Sequence, residues 1–291
     1  MRLSLALPQY EIDRDPSGPP NAQVMIDTAR RAERLGLDGV WLSDHPFAVA
    51  PDGSVSGALE PLVAAGVLGR ATVRLRIGTL VLAATMRTPG LLAHSVGALP
   101  FERLTVGVGA GWYEPEHRAF GVSRGTYAAR VARLESALVA LSELGSNRPR
   151  ILAGGSGERL LDVAARNADE WNVSWDASPE TFASLSDRLD RACERAGRDP
   201  VSIGRSAGLT VLVGRDDRGI AAAVERLRGR APFLAGVDLR SLSETIVTGT
   251  PERCADRIAS YGAGEVVVAL LMRDDAEMLE LFAEEVAPLL R

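Results

Sequence analysis

The chain contains three histidines, the only side chains whose ordinary pKa suits proton transfer near neutrality. Only His45 follows directly on an apolar β-branched run, in GVWLSDHP (39–46). There it reads either as a general acid/base, with Asp44 beside it to orient the loop or accept a hydrogen bond, or as a residue of an exposed rim. His94 falls inside the helical pattern of LLAHSV and reads as a surface or packing residue. His117 stands well past the nearest strand end and reads as structural. A second group of candidates is the run GVGAGWYEPE (107–116). Glycine at alternate positions lets another group approach the backbone closely. Trp112 and Tyr113 then offer aromatic surface, and Glu114 and Glu116 offer carboxylates. The same alternation also suits a tight barrel interior. It is not a dinucleotide fingerprint, because Trp112 stands where the third glycine belongs and no helix begins at once. A third candidate is Gly154-Gly155-Ser156-Gly157, between a short apolar run and a helical pattern. Ser156 suits a helix N-cap, and small residues there expose the first helical N–H groups to an anion. An ordinary capped turn is the other reading. Ala83–Pro89 has few polar groups and reads as an apolar wall for a flat ring or as a plain loop, while Ser174, Trp175 and Asp176 follow another strand-like run.

Composition narrows the chemistry. All 33 basic residues among the 291 are arginine. Without lysine there is no Schiff base to pyridoxal phosphate or to a carbonyl substrate. A P-loop and a protein-kinase site are excluded for the same reason. Any phosphate must be held by backbone N–H groups, hydroxyls or arginine, and Arg159, just inside the helix after Gly157, is the nearest candidate. The net charge of −5 and the lack of a basic stripe argue against nucleic acid as a partner. No apolar run approaches the ~18 residues of a membrane span. The opening MRLSLALPQY lacks the apolar core and cleavage site of a secretion signal. Cys193 and Cys254 form neither a disulfide framework nor a metal spacing and read as small packing residues. The expectation is a cytoplasmic enzyme with a small-molecule substrate, no nucleic acid or membrane partner, and no metal.

The elements that must position these residues follow one rhythm. Short β-branched runs at 3–7, 39–43, 75–82, 104–108, 150–153, 170–174, 208–213 and 265–271 are each followed by a helical pattern. Strands alternating with helices imply parallel pairing, and runs such as VVVALL suit strands buried on both faces. Eight such units predict an α/β (β/α)8 barrel in a single domain over 1–291. A doubly wound sheet is the competitor, but it would carry a glycine-rich fingerprint after the first strand, where this chain reads ALPQYEIDRDPSGPP. In the barrel, chemistry belongs at the C-terminal ends of the strands, where His45, Gly109–Trp112 and Gly154–Gly157 all fall.

Together these pieces resemble the bacterial luciferase-like superfamily and, within it, the branch of coenzyme F420-dependent oxidoreductases. The resemblance rests on AERLGLDGVWLSDH (32–45), LRIGTLVLAATMRTP (75–89), LTVGVGAGWYEPEHRAFG (104–121), RPRILAGGSGERLLDVAARNADEWNV (148–173) and TGTPERCADRIASYGAGEVVV (248–268). It implies a TIM barrel that binds a deazaflavin or flavin ring at its C-terminal face and moves a hydride between that ring and an organic substrate. On this resemblance His45 lies beside the ring with Asp44 before it, and His45, Asp44 and Glu116 are the catalytic candidates. A bulge containing a non-prolyl cis peptide, expected at Thr79–Leu80 to within one residue, lies behind the ring. Gly109, Ala110, Gly111 and Trp112 form a ring-side loop, and Gly154, Gly155, Ser156 and Gly157 form a phosphate-binding turn. The implied cofactor is F420. The alternatives are an FMN-dependent monooxygenase of the same superfamily and a barrel that binds a ligand without catalysis. A homodimer is expected. Two departures from the family pattern stand out: a connection of only 145–150 before the fifth strand, and LPFERL (99–104) before the fourth.

Overall fold

In the computed structural model, residues 1–11, 21–49, 53–99, 102–145, 148–175, 177–230 and 246–291 are described. Asp176 and the sequence 12–20 lie outside them.

Eight parallel strands close into a ring. They are β1 (Arg2–Ala6), β2 (Gly39–Leu42), β5 (Arg76–Thr79), β7 (Leu104–Gly109), β8 (Arg150–Gly154), β9 (Glu170–Ser174), β10 (Gly204–Val213) and β12 (Glu265–Leu270). The ring closes where β12 pairs with β1, Arg2 opposite Glu265, so the two ends of the chain complete one sheet. Helices α1 (Asn21–Arg34), α2 (Pro61–Ala71), α3 (Pro89–Gly97), α5 (Tyr127–Ser142), α6 (Glu158–Asn167), α7 (Pro179–Arg195), α8 (Asp217–Arg230), α9 (Pro251–Ala259) and α10 (Ala276–Leu281) follow the strands. The expected barrel is present. The connection before β8 is short: α5 ends at Ser142 and β8 starts at Arg150.

Four small elements were not legible as such. A hairpin, β3 (Phe47–Val49) with β4 (Val55–Gly57), rises from the loop after β2. The two-residue strand β6 (Leu82–Ala83) extends the third barrel strand past a break and pairs with β7. Helix α4 (Glu114–Ala119) follows β7, and β11 (Val247–Gly249) pairs with the far end of β10. The four short strands span two or three residues and α4 only six, too few for a periodicity to register.

The core divides into two shells. The outer one packs the strands against the helices, with Leu5, Val40, Ile77, Val106, Ile151 and Val266 facing Leu68, Leu134, Leu138 and Leu161. The inner one is small: Ala6, Trp41, Leu80, Leu152, Val267 and Ala269, with Val81 against it. Trp41 fills the barrel because Gly78 opposite has no side chain, and a Cβ there would land on the indole ring. Beneath it the interior turns polar, with Ser4, Thr105, Glu170, Asn172, Ser206 and Glu265 all buried.

Candidate active site

A cleft of about 620 Å³ opens at the C-terminal ends of the strands. Its walls come from the loop after β2 (Asp44, His45), the third strand (Leu80–Ala83) and the run Gly109–Tyr113 with Glu116. The remainder is supplied by the start of α5 (Tyr127, Arg130), the turn Gly154–Gly157 with Leu160, and β9 with Ser174 and Trp175.

His45 is held from both sides. Gln9 clamps the loop before it, donating to the carbonyls of Ser43 and Leu59 at 2.7 Å and accepting from Ser43 N–H at 2.7 Å. The hydroxyls of Tyr10 and Ser43 are 2.6 Å apart. On the cleft side the imidazole Nδ1 meets Glu116 Oε1 at 2.6 Å. Glu116 is buried, while the His45 side chain is 38% exposed. An ionised carboxylate accepts only, so with Glu116 ionised this bond takes the proton on Nδ1 and leaves Nε2 unengaged. Among the described residues Nε2 has no partner. Trp112 and Tyr113 pack edge-on to the imidazole, with ring centroids 5.9 and 6.0 Å away.

Asp44 also lines the cleft, but its oxygens are occupied. Arg87 grips it bidentately at 2.7 Å on each arm, and Ala83 N–H donates to it at 2.7 Å. Burial pushes its carboxyl above the ordinary value, against the pull of Arg87 and of the Ala83 N–H. Arg87 in turn is held above its ordinary value; burial opposes this, but Asp44 and Glu60 outweigh it. Asp44 therefore ties the β2 loop to the third strand.

The alternating glycines have a structural explanation. A Cβ on Gly109 or Gly154 would come within 2.7 Å of a Val81 methyl group, and one on Gly107 would land on the Thr79 carbonyl oxygen. The third-strand bulge fills these three vacant positions, and the Leu80–Val81 peptide within it is cis. That lies within the one residue allowed around the expected Thr79–Leu80. Leu80 lines the cleft. Thr79 does not: its hydroxyl lies under the floor, donating to the carbonyl of Gly107 and accepting from its N–H, both at 2.9 Å. Gly111, at φ +74°, leaves room for the Thr85 hydroxyl. Thr85 also meets His117 Nε2 at 2.7 Å, so buried His117 is a structural tie. Gly109, Ala110, Gly111 and Trp112 still line the cleft with their exposed sides.

The turn after β8 departs from expectation in one respect. Helix α6 starts at Glu158 with Gly157 as its N-cap, and no side chain caps it. Ser156 therefore caps nothing. The first N–H groups of α6 are left facing outward, the condition that favours an anion. Gly155 N–H is committed to Asn172 O at 3.0 Å. Gly155 sits at φ +133°, and a Cβ on it would strike Leu160. Arg159 is exposed and does not line the cleft. The arginine that does line it is Arg130, one turn into α5, with its guanidinium 5.7 Å from the Tyr127 ring centroid and Nη1 donating to the carbonyl of Gly125 at 3.2 Å. Arg130 Nε is buried without a hydrogen-bond partner. Such a donor is costly to leave unpaired and marks a place where a ligand acceptor would be favoured. A readable signal existed: the first turn of a helix lies on the same rim as the strand end before it, which puts Tyr127 and Arg130 beside Gly154–Gly157.

These residues fit a phosphate-bearing planar cofactor: a turn of three glycines and one serine, an unpaired guanidinium N–H, and an apolar slot of Leu80, Leu82, Ala110 and Trp112. No group of three or more potential metal ligands occurs among the described residues, nor is any helix there long and apolar enough to cross a membrane.

Comparison with known proteins agrees with the architecture. Over its full length the chain is similar to an F420-dependent glucose-6-phosphate dehydrogenase of Microbacterium testaceum (strain StLB037), with 26% identity over 97% of this chain and 96% of the relative. That alignment runs to 333 positions against 291 residues here, so the relative carries insertions this chain lacks. Among solved structures, an F420-dependent secondary alcohol dehydrogenase in complex with an F420-acetone adduct superposes with a TM-score of 0.81 at 18% identity, covering 100% of this chain and 99% of that one. A monooxygenase from Streptomyces bottropensis gives 0.79 at 19% identity, with 99% of each chain covered. At these identities the structural matches establish the fold. The family model for luciferase-like monooxygenases matches residues 1–266, and the chain belongs to that family.

Proposed function

We propose that this protein is an oxidoreductase that transfers a hydride between coenzyme F420 and a small organic substrate. The observation that carries the reading is the pairing of His45 with buried Glu116 on one wall of a cleft whose other wall is the uncapped turn at Gly154–Gly157 with Arg130. The F420 dependence of relatives similar over nearly the whole chain supports the choice of cofactor.

The cofactor phosphate would be held by the first N–H groups of α6 and by Arg130, with Gly154–Gly157 allowing close approach. Leu80, Leu82, Ala110 and Trp112 would exclude water from the ring. Bound F420 supplies a two-electron hydride donor and acceptor in its deazaflavin ring. In the oxidative direction a substrate alcohol loses a hydride from carbon and a proton from oxygen, and Nε2 of His45 takes the proton. In the reductive direction His45 returns it to the carbonyl oxygen. Glu116 keeps the Nδ1 proton in place and stabilises the imidazolium once it forms.

Trp112 and Trp175 line the cleft, whereas Trp41 and Trp171 are buried in the core, so bound ring should quench the first pair. Titrating oxidised F420, reduced F420 and FMN against tryptophan fluorescence tests the reading. Saturable quenching by F420 at lower concentration than by FMN is expected. Binding of FMN with no response to either form of F420 would transfer the assignment to a flavin monooxygenase.

A further inference from the structure

A second, smaller pocket of about 190 Å³ adjoins the cleft, lined by Tyr10, His45, Phe47, Ala48, Val49, Trp112 and Tyr113. It shares His45, Trp112 and Tyr113 with the larger cleft, so the two adjoin beside the imidazole. We propose that this pocket is the substrate subsite and that it selects an uncharged molecule with an apolar body about the size of a six-membered ring. The proposal rests on the F420 reading for what happens to the substrate, but its binding chemistry stands on the pocket alone.

Four features carry it. The first is size: an apolar protein cavity of about 150 Å³ suffices for benzene, so this one accommodates a single ring or a short branched chain. The second is charge. Among the described residues no arginine, aspartate or glutamate lines the pocket, and the chain has no lysine to reach into it. Protonated His45 offers no net charge either, because Glu116 lies 2.6 Å away. The guanidinium of Arg273 lies 5.6 Å from the Tyr10 ring centroid but lines a separate crevice with Asp27, Asp274 and Asp275. An anionic substrate would thus bury its charge without a partner, which is strongly unfavourable. The third feature is the walls. Phe47 is braced by a stacked Phe120 at 6.5 Å, and Trp112 and Tyr113 lean on each other at 5.2 Å, giving flat apolar faces on two sides. Val49, Trp112 and Phe120 remain more than one-third exposed, an apolar rim at the mouth. The fourth is the polar equipment. The Tyr10 hydroxyl is engaged with Ser43, whereas among the described residues the Tyr113 hydroxyl and His45 Nε2 have no partner. Either group suits an alcohol or carbonyl oxygen, and the rest of the pocket suits hydrocarbon.

The test uses a matched pair of probes, cyclohexanol and cyclohexanecarboxylate, which differ in charge at constant ring size. Each is titrated into the F420-free protein by tryptophan fluorescence and then into the F420-loaded protein by turnover. Saturable quenching by cyclohexanol at a concentration at least tenfold below that for the carboxylate is expected, lost in Phe47→Ala, whose F420 affinity should be unchanged. In turnover, the same variant should raise KM for cyclohexanol at least tenfold with kcat within a few-fold. Tighter binding of the carboxylate, or no saturable response to cyclohexanol, overturns the proposal. If cyclohexanol binds but F420 does not, the F420 reading fails and the pocket assignment stands; if F420 binds and cyclohexanol does not, the reverse holds.

Discussion

His45 and Glu116 belong to different β/α units, 71 positions apart, and meet at 2.6 Å at the strand ends. Their separate roles lead to separate expectations. Replacing the proton carrier by His45→Gln should lower kcat by about 10²–10⁴ with the Kd for F420 within a few-fold. Glu116→Gln leaves the imidazole in place but removes the carboxylate that fixes its proton. It should cost part of the same effect, about 10–100-fold in kcat, again with F420 affinity retained. Stopped-flow turnover beside equilibrium F420 binding checks both, and equal losses in kcat and binding would make the pair a structural prop. Arg130 is argued the other way. Its unpartnered Nε predicts a charge-assisted bond to phosphate, worth about 1.5–3 kcal/mol, so Arg130→Gln should weaken F420 binding about 10–100-fold. Arg159→Gln should leave it unchanged, because Arg159 is exposed away from the cleft. Calorimetric titration of the two variants decides between the arginines.

At the scale of elements, the site floor is a fit between the third strand and its neighbours. β5 stops at Thr79, the cis Leu80–Val81 link follows, and β6 resumes against β7. Val81 and the Thr79 carbonyl occupy the positions left vacant by Gly107, Gly109 and Gly154. Gly107→Ala should therefore destabilise by about 1–3 kcal/mol, because the obstructing atom is backbone and cannot swing away. Thermal unfolding should show it as a fall of about 2–4 °C per kcal/mol. Gly90→Ala is the control: it lies in α3 with open space where the Cβ would go, so its melting temperature should hold or rise. A loss equal to that of Gly107→Ala would show that the floor is not tightly packed. The same comparison shows what the sequence could convey. All eight barrel strands and the helices after them were readable, because buried parallel strands and amphipathic helices each carry their own periodicity. The glycine alternation was readable as a close approach, but the group that approaches comes from 28 residues earlier, Thr79 against Gly107 and Val81 against Gly109, and has no local signature. The hairpin and α4 escaped because two or three residues per strand and a six-residue helix hold too little pattern. With them went Phe47 and Val49, which line the smaller pocket. Ser156 misled for a related reason: a good capping residue stood one position too early, and the glycine after it took the cap.

On the scale of the whole molecule, the open C-terminal end of the barrel is matched by an N-terminal end closed with charge. Glu265 of β12 and Glu170 of β9 are buried inside the ring, and Arg76 of β5 spans them at 2.5 and 3.1 Å. Arg2 of β1 spans the same two carboxylates at 3.0 and 3.2 Å, and Ser4 and the Trp41 indole N–H donate to Glu265 at 2.7 and 3.1 Å. Five of the eight barrel strands are tied through these side chains at one level. The arrangement is conditional, because its worth depends on every partner being charged. Burial alone would push the Glu265 carboxyl up. Arg76 above all, then Ser4, Arg2 and Trp41, hold it below the ordinary carboxylate value. The sign of the pH effect follows. A native pKa below the unfolded one means that folding stability is fully present at neutral pH. It declines once pH falls below the unfolded carboxylate value and is lost as pH passes through the depressed native value. Arg76→Met removes the strongest depressing influence and leaves two buried carboxylates with less compensation. It should cost about 3–5 kcal/mol at neutral pH and move the acid unfolding transition to higher pH. Circular dichroism across an acid titration, with urea unfolding at neutral pH alongside, measures both quantities. An acid transition coinciding with that of the unsubstituted protein would show that the barrel floor is held by packing alone and that its charges are incidental.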